Sequence, residues 1–446
     1  MMKKILIFTV CLSFSVLCAN SVIFISLSRD YWLIPLFVLS LLASNMIPLL
    51  AYNGEKSFRL RMCTHGIVCL TTFAIALVPT VLLQLIFVFN TLSGGYLLPI
   101  ISVVVCFVTL ALLFWNGMIT VYLFSVQLGI THRLRGLLFG FIPVLNIIYL
   151  FKIICVVSKE IKFEKEKLRI NKLREKDKIC ETKYPILFVH GVCFRDVPLV
   201  NYWGRIPAEL EQNGAKYYLG NHDSAAAVEV SAKEIASRIR YITDDLGYGK
   251  VNIIAHSKGG LDCRYAIAKC GVANKVASII SVNTPHRGCK YADYLLEKIS
   301  EGFQTKVAGI YNNAMKKLGD SDPDFISAMR DLTESECSLL DAELKKTEAD
   351  IDMLRISIGS KLNSAKDAKF PLKLTHDFVK RFDGDNDGLV SVDSFAWGDR
   401  FILLENPGKR GISHADVIDL NRENIHGFDV REFFVGIVSD LKKKGF

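Results

Sequence analysis

The feature that most constrains this fold is a series of four apolar runs in the first third of the chain. They cover residues 5–27, 32–51, 66–89 and 96–124, and each contains at least 20 residues. A helix of about 20 apolar residues crosses the hydrocarbon core of a bilayer. Backbone groups inside a bilayer must bond to one another, which favours helices. The sequence therefore predicts a transmembrane helical bundle within residues 1–157.

The positive charge of the chain is concentrated in this apolar region. Residues 1–157 contain nine Lys or Arg and two Asp or Glu. The remaining residues contain 45 Lys or Arg and 43 Asp or Glu. Basic residues beside apolar runs indicate membrane topology, so we predict a bilayer as partner and no nucleic acid. Lys3 and Lys4 precede the first run, and basic residues return after the second and fourth runs. The positive-inside rule places these ends in the cytoplasm.

A fifth apolar run, residues 136–157, is ambiguous. It contains Pro143, Asn146 and Lys152, so it could span the bilayer, re-enter it, or lie in its interface. The charged stretch that follows, residues 158–182, is predicted to be a helical linker. Its Lys and Arg residues lie close to the membrane and favour a fifth run that does not span, with the following domain facing the cytoplasm.

From residue 183 onwards the sequence pattern is that of an α/β domain. Apolar runs bounded by turn residues predict buried strands, at residues 184–189, 215–219, 251–255 and 276–282. Amphipathic segments between them predict helices. Strands that alternate with helices indicate a mostly parallel sheet with helices on both faces. We predict this α/β fold over residues 183–446.

A serine lies between one predicted strand and the next helix, in the sequence Ala255-His-Ser257-Lys258-Gly259. This is the G-x-S-x-G nucleophile elbow with Ala in the first position. Small residues are needed because the turn is sharp, and the N–H groups of the following helix face the site where an oxyanion forms. We predict Ser257 as the nucleophile and the backbone N–H groups of Lys258 and Val192 as the oxyanion hole.

The acid and the base of such a site follow the serine in chain order. Residues 383–391 are dense in Asp, Asn and Gly, and Asp387 is the predicted acid. The segment also matches half of an EF-hand loop, but Ser394 stands where the last ligand should be Glu. His414 in a polar loop and His426 before the final helix are both candidate bases. Three other histidines are predicted to be structural: His190, His256 and His286.

These motifs resemble those of the bacterial triacylglycerol lipases, the true lipases of the α/β-hydrolase superfamily. The resemblance is dense over residues 184–294 and 383–420. It implies an α/β-hydrolase fold with Asp387 as acid and His414 as base. It also implies that Asp416 is a calcium ligand, calcium being a possible structural ion, and that no cofactor is required. Residues 292–380 are expected to form a helical, lid-like insertion.

The sequence thus predicts a membrane-anchored serine hydrolase of a bacterial cell membrane that cleaves carboxylic ester bonds of lipids. A triacylglycerol lipase is the first hypothesis. A phospholipase or another lipid acyl hydrolase with the same triad is the second. A non-catalytic membrane scaffold with a degenerate hydrolase domain is the third.

Overall fold

The structure is a computed structural model. It describes residues 2–51, 57–192, 201–406 and 410–446. The chain divides into two compact units, Met1–Arg169 and Ile170–Phe446.

The first unit is helical. Its helices are α1 (Met2–Ala19), α2 (Ser21–Ser28), α3 (Ile34–Ala51), α4 (Phe58–Thr91), α5 (Leu97–Phe124), α6 (Gly129–Phe139) and α7 (Leu145–Arg174), the last of which continues into the second unit. Among the described residues, three segments are long and apolar enough to cross a membrane: Tyr31–Leu50, Phe58–Gly94 and Leu97–Phe124. They correspond to the second, third and fourth predicted runs.

The first predicted run, residues 5–27, is not one straight helix. Helices α1 and α2 meet at Asn20 with a bend of 62°, and they make a fourth candidate span only if the bent pair is counted as one. The Asn20 side chain donates a hydrogen bond to the carbonyl oxygen of Val16 at 2.8 Å. Asn side chains that bond to nearby backbone compete with the helical pattern, which accounts for the break.

The fifth predicted run, residues 136–157, is also broken. Helix α6 ends at Phe139 and α7 begins at Leu145, with Pro143 between them. Proline lacks an N–H and disfavours a helical conformation in the residue before it, so a continuous helix is interrupted here. The two helices contact each other through His132 Nδ1 and the Tyr149 hydroxyl, 2.8 Å apart. The run therefore forms parts of two helices that contact each other, and not one continuous helix.

Within the described residues of the second unit, six parallel strands form one sheet. The strands are β1 (Ile186–Val189), β2 (Tyr217–Leu219), β3 (Val251–His256), β4 (Val276–Val282), β5 (Leu354–Ser360) and β6 (Arg400–Leu404). Their order is β2-β1-β3-β4-β5-β6, and each neighbouring pair is parallel. The predicted α/β-hydrolase fold, a mostly parallel sheet after an apolar helical region, is confirmed.

Helices cover both faces of this sheet. The helices of this unit are α8 (Ile206–Gln212), α9 (Val228–Arg240), α10 (Lys258–Lys269), α11 (Lys290–Lys298), α12 (Glu301–Leu318), α13 (Phe325–Arg330), α14 (Glu334–Glu348), α15 (Leu372–Asp383), α16 (Val392–Phe395) and α17 (Val430–Lys443). Helices α8 and α17 pack on one face of the sheet, and α9 and α10 pack on the other. Successive strand residues point to opposite faces. Ile254 packs in one core with Phe434 of α17, and Ile253 packs in the other with Ile235 of α9.

The predicted helical insertion, residues 292–380, extends too far. Its helices α11 to α14 end at Glu348, and the chain then returns to the sheet as β5. Ile358 of β5 is fully buried against the core that contains α17. The residues from Leu354 to Ile358 alternate between apolar and polar, which is typical of a strand. This period of two is the signal that the predicted boundary overlooked.

Candidate active site

Ser257 lies on a sharp turn between β3 and α10. Its φ of 55° and ψ of −132° are unfavourable for a residue with a side chain. The surrounding structure holds this conformation, because the Ser257 N–H donates to the Val282 carbonyl at 2.9 Å and the Gly260 N–H donates to the Ser257 carbonyl at 3.0 Å. Strained backbone of this kind is found where a side chain must be presented for function.

Glycines allow the end of β1 to approach this turn. A Cβ on Gly259 would lie 2.3 Å from the His190 carbonyl oxygen, and a Cβ on Gly191 would lie 2.7 Å from the Ser257 Cβ. Neither distance leaves room for a side chain. The small residues predicted around the elbow are therefore needed for contact between the two segments that carry Ser257 and Val192.

Asp387 and His414 lie side by side. His414 Nδ1 and Asp387 Oδ2 are 2.6 Å apart, and both side chains are buried. The N–H groups of Leu389 and Val390 donate to Asp387 Oδ1 at 2.9 and 2.8 Å. The Asn283 side chain donates to Oδ2 at 2.5 Å. Because Asp387 engages Nδ1 of His414, Nε2 is the ring nitrogen left for proton transfer.

Ser257 is adjacent in sequence to a residue that contacts this pair. The ring of His256, the residue before it, has its centroid 4.4 Å from that of His414. Within the described residues, the Ser257 hydroxyl has no hydrogen-bond partner. Catalytic hydrogen bonds are often long before substrate binds, so this geometry is compatible with a serine and a base that act together.

The other histidines occupy different surroundings. His256 Nδ1 is 2.6 Å from the Tyr202 hydroxyl, and burial, with a smaller effect of His414, lowers the pKa of His256 well below its usual value. His286 stacks on Trp397. His426, the alternative base, is exposed, and Asp387 bonds to His414 instead.

The predicted oxyanion groups lie at the ends of two adjacent elements. Lys258 is the first residue of α10, and the first N–H group of a helix has no acceptor within the helix. Val192 follows Gly191, whose own N–H donates to the Tyr202 hydroxyl at 3.0 Å. The Tyr202 hydroxyl thus links the segment after β1 to His256, next to the nucleophile. Residues 193–200, which continue this segment, lie outside the described part of the chain.

Asp416, the predicted calcium ligand, is bound to an arginine. Arg410 Nη2 lies 3.0 and 2.8 Å from the two carboxylate oxygens, and the Ser413 hydroxyl donates to Asp416 Oδ2 at 2.7 Å. Calcium needs six to eight oxygen ligands, and the described residues contain no group of three or more His, Cys, Asp or Glu suited to a metal. The residues at Asp416 therefore do not fit calcium, and the carboxylate braces the loop that carries His414.

Two further residues contact the site and were not among the predicted ones. Asn283 follows the last residue of β4 and contacts Asp387, and Tyr202 connects Gly191 with His256. Asn283 has a positive φ of 47°, which Asn tolerates better than most residues. A polar residue directly after a buried parallel strand was the available signal for Asn283.

Comparisons with known proteins give partial similarities to this chain. The sequence profile of the family "Palmitoyl protein thioesterase" matches residues 185–322. A triacylglycerol lipase of Pseudarthrobacter phenanthrenivorans is 31% identical over 169 residues, 35% of this chain and 52% of that protein. Triacylglycerol lipase 2 of Saccharomyces cerevisiae is 23% identical over 269 residues, 55% of this chain and 75% of that protein.

Among solved structures, the Staphylococcus hyicus lipase aligns with a TM-score of 0.45 and 18% identity, covering 59% of this chain and 97% of that one. The chain spans about half the length of the bacterial lipases it matches at 31% identity. The similarity in sequence to the bacterial triacylglycerol lipases covers about a third of this chain.

Proposed function

We propose that this chain is a membrane-anchored serine hydrolase that cleaves carboxylic ester bonds of lipids. The observation that carries the proposal is the buried pair of Asp387 and His414, 2.6 Å apart, beside a serine in strained backbone. A nucleophile, then an orienting acid, then a base is the chain order of the serine hydrolases of this fold. The pair also argues against a degenerate domain that serves only as a membrane scaffold.

The reaction follows from the positions of these groups. Ser257 Oγ attacks the ester carbonyl carbon while His414 Nε2 takes its proton, and Asp387 stabilises the resulting imidazolium. The N–H groups of Val192 and Lys258 donate to the oxyanion. The C–O bond to the alcohol then breaks, and His414 protonates the leaving oxygen. Water, deprotonated by His414, hydrolyses the acyl-enzyme and restores Ser257. This chemistry requires no cofactor.

A triacylglycerol is the proposed substrate class, supported by the similarity to the triacylglycerol lipases. A phospholipid or other acyl lipid is the alternative and uses the same triad. The profile match over residues 185–322 also favours testing acyl thioesters, which the same nucleophile can cleave. The apolar helices of the first unit support anchoring in a bacterial cell membrane, where lipid esters are at hand.

The proposal is tested with a fluorophosphonate probe and lipid profiling. We expect membranes containing the wild-type chain to be labelled, Ser257→Ala to be unlabelled, and Ser237→Ala, a substitution of an exposed serine on α9, to behave as wild type. Lipid extracts incubated with wild type and Ser257→Ala should differ in triacylglycerol content. A difference confined to phospholipid or to thioesters would select the alternative, and unlabelled wild type would reject a serine hydrolase.

Calcium removal is expected to leave the hydrolysis rate unchanged. Arg410 already supplies the positive charge at both oxygens of Asp416, so the loop of His414 needs no metal to hold it. The measurement is ester hydrolysis with and without the chelator EGTA. Loss of activity on chelation, restored by added calcium, would contradict this account of Asp416.

A further inference from the structure

The side chain of Lys258, directly after the nucleophile, is buried. It is 1% exposed, and its ammonium group donates to Asp262 Oδ1 at 2.7 Å and to the Ser231 hydroxyl at 3.1 Å. A buried ammonium group is unfavourable unless it is paired and hydrogen-bonded. Asp262 and Ser231 therefore hold Lys258 in place, and they restrict the position of its backbone N–H at the start of α10.

Asp262 extends this pairing away from the elbow. It lies one turn further along α10, is equally buried, and its Oδ2 is 3.8 Å from His222 Nε2. Burial raises the pKa of Asp262 to about 7, against the opposing effect of Lys258. The carboxylate thus depends on its cationic neighbour to remain ionised in this position.

His222 connects Asp262 to the other side of the oxyanion hole. Its ring stacks on that of His190, with centroids 3.9 Å apart and planes inclined by 12°. His190 is fully buried at the end of β1, and its Nδ1 is 3.0 Å from the Gly191 carbonyl oxygen. The peptide that follows leads to Val192, the second proposed oxyanion donor.

We propose that Lys258, Asp262, His222 and His190 form a buried network that positions the two oxyanion donors relative to each other. The inference rests on the proposed function, because it concerns the same hydrolytic site. The side chains do not touch the reacting atoms. They are positioning residues, which act through the backbone N–H groups at either end of the network. A buried ion pair adds little net stability compared with apolar residues of similar size. We therefore expect the ion pair of Lys258 and Asp262 to affect the rate of catalysis more than the stability of the fold.

The experiment compares steady-state kinetics of Lys258→Met, Asp262→Asn and His222→Gln in the full-length chain, with a short dispersed p-nitrophenyl ester. We expect each variant to lower kcat by about tenfold to a hundredfold with KM unchanged, because small displacements of oxyanion donors act on the transition state. The rate of inactivation by a fluorophosphonate should fall in parallel. A double variant should lose much less than the product of the single losses, since the residues act as one unit.

Lys269→Met is the matched control, because it removes a solvent-exposed ion pair with Glu343 at the other end of the same helix. It should leave kcat unchanged. Thermal unfolding of each variant shows whether it is folded. If a variant that removes one charge does not fold, two other variants test the network. They are the double variant Lys258→Met/Asp262→Leu and the single variant His222→Gln, and neither leaves an unpaired buried charge.

Folded variants with wild-type kcat, or with a raised KM and unchanged kcat, would overturn the network while leaving the hydrolase intact. Wild-type chain that neither hydrolyses esters nor reacts with the fluorophosphonate would overturn the proposed function instead. The two failures are therefore distinguishable in one set of measurements.

Discussion

Replacement of Ser257, Asp387 or His414 by alanine is expected to lower kcat for p-nitrophenyl ester hydrolysis by about a thousandfold or more. Each change removes one part of a single unit: the nucleophile, the group that takes its proton, or the carboxylate 2.6 Å from that group. The measurement is steady-state hydrolysis by purified protein in detergent, with labelling by a fluorophosphonate as a second readout.

The double variants test whether the three residues act together. Ser257→Ala/His414→Ala should be no slower than Ser257→Ala alone, because the base has no role once its nucleophile is missing. Asp387→Asn tests the carboxylate charge alone, because it keeps the volume of the side chain. It removes the carboxylate that favours the tautomer of His414 with the proton on Nδ1. We expect it to lose nearly as much activity as Asp387→Ala.

His426→Ala is the matched control for the base. His426 is exposed, whereas His414 contacts Asp387, so the His426 variant should remain near wild type. Active His414→Ala together with inactive His426→Ala would overturn the assignment of the base.

The parts of this structure that were predicted correctly depend on short-range patterns. The strand, small residues and helix around Ser257 lie within a few consecutive positions, so local sequence is enough to place the elbow. Chain order and a polar loop led to the choice of His414, which lies beside Asp387 and whose role as base stays a prediction. The apolar runs that became α3, α4 and α5 need only length and composition to be recognised.

The parts that were missed depend on partners distant in sequence. Asp416 could be predicted as a ligand, but not that Arg410 binds both of its oxygens. The bend at Asn20 depends on which of its backbone and side-chain hydrogen bonds form, including one to Thr80. Strand β5 follows a long helical stretch, and its local alternation of apolar and polar residues is short, so its pairing with β4 and β6 is what identifies it clearly. Tertiary contacts of this kind determine the local structure and cannot be read from the neighbouring sequence.

The break between α6 and α7 bears on which side of the membrane the chain after α7 faces. Glu160 on α7 accepts hydrogen bonds from the Val126 N–H at 3.1 Å and the Gln127 N–H at 3.3 Å, and it pairs with Arg59. The charged part of α7 therefore returns to the level where α5 ends. The apolar part of α7, residues 145–157, rises only about 20 Å, which is short of the hydrocarbon thickness.

A segment that leaves and returns at the same level does not change sides. We therefore expect the chain after α7 to face the same side as the end of α5, which the basic residues Arg133 and Arg135 place in the cytoplasm. A fluorescent protein that matures only in the cytoplasm, fused after Lys178, should be bright. Alkaline phosphatase, active only outside, should be inactive at the same position.

The matched control places both reporters after Gly94, in the uncharged connection between α4 and α5. This connection lies at the opposite end of α5, so the phosphatase should be active there and the fluorescent protein dark. Each reporter should be active at one position and inactive at the other, because one membrane-spanning helix separates the two positions. Phosphatase activity without fluorescence after Lys178 would mean that residues 136–157 span the membrane and that Ser257 faces outwards. In that case Glu160 would lie on the opposite side of the membrane from the end of α5, and its hydrogen bonds to the Val126 and Gln127 N–H groups would not form.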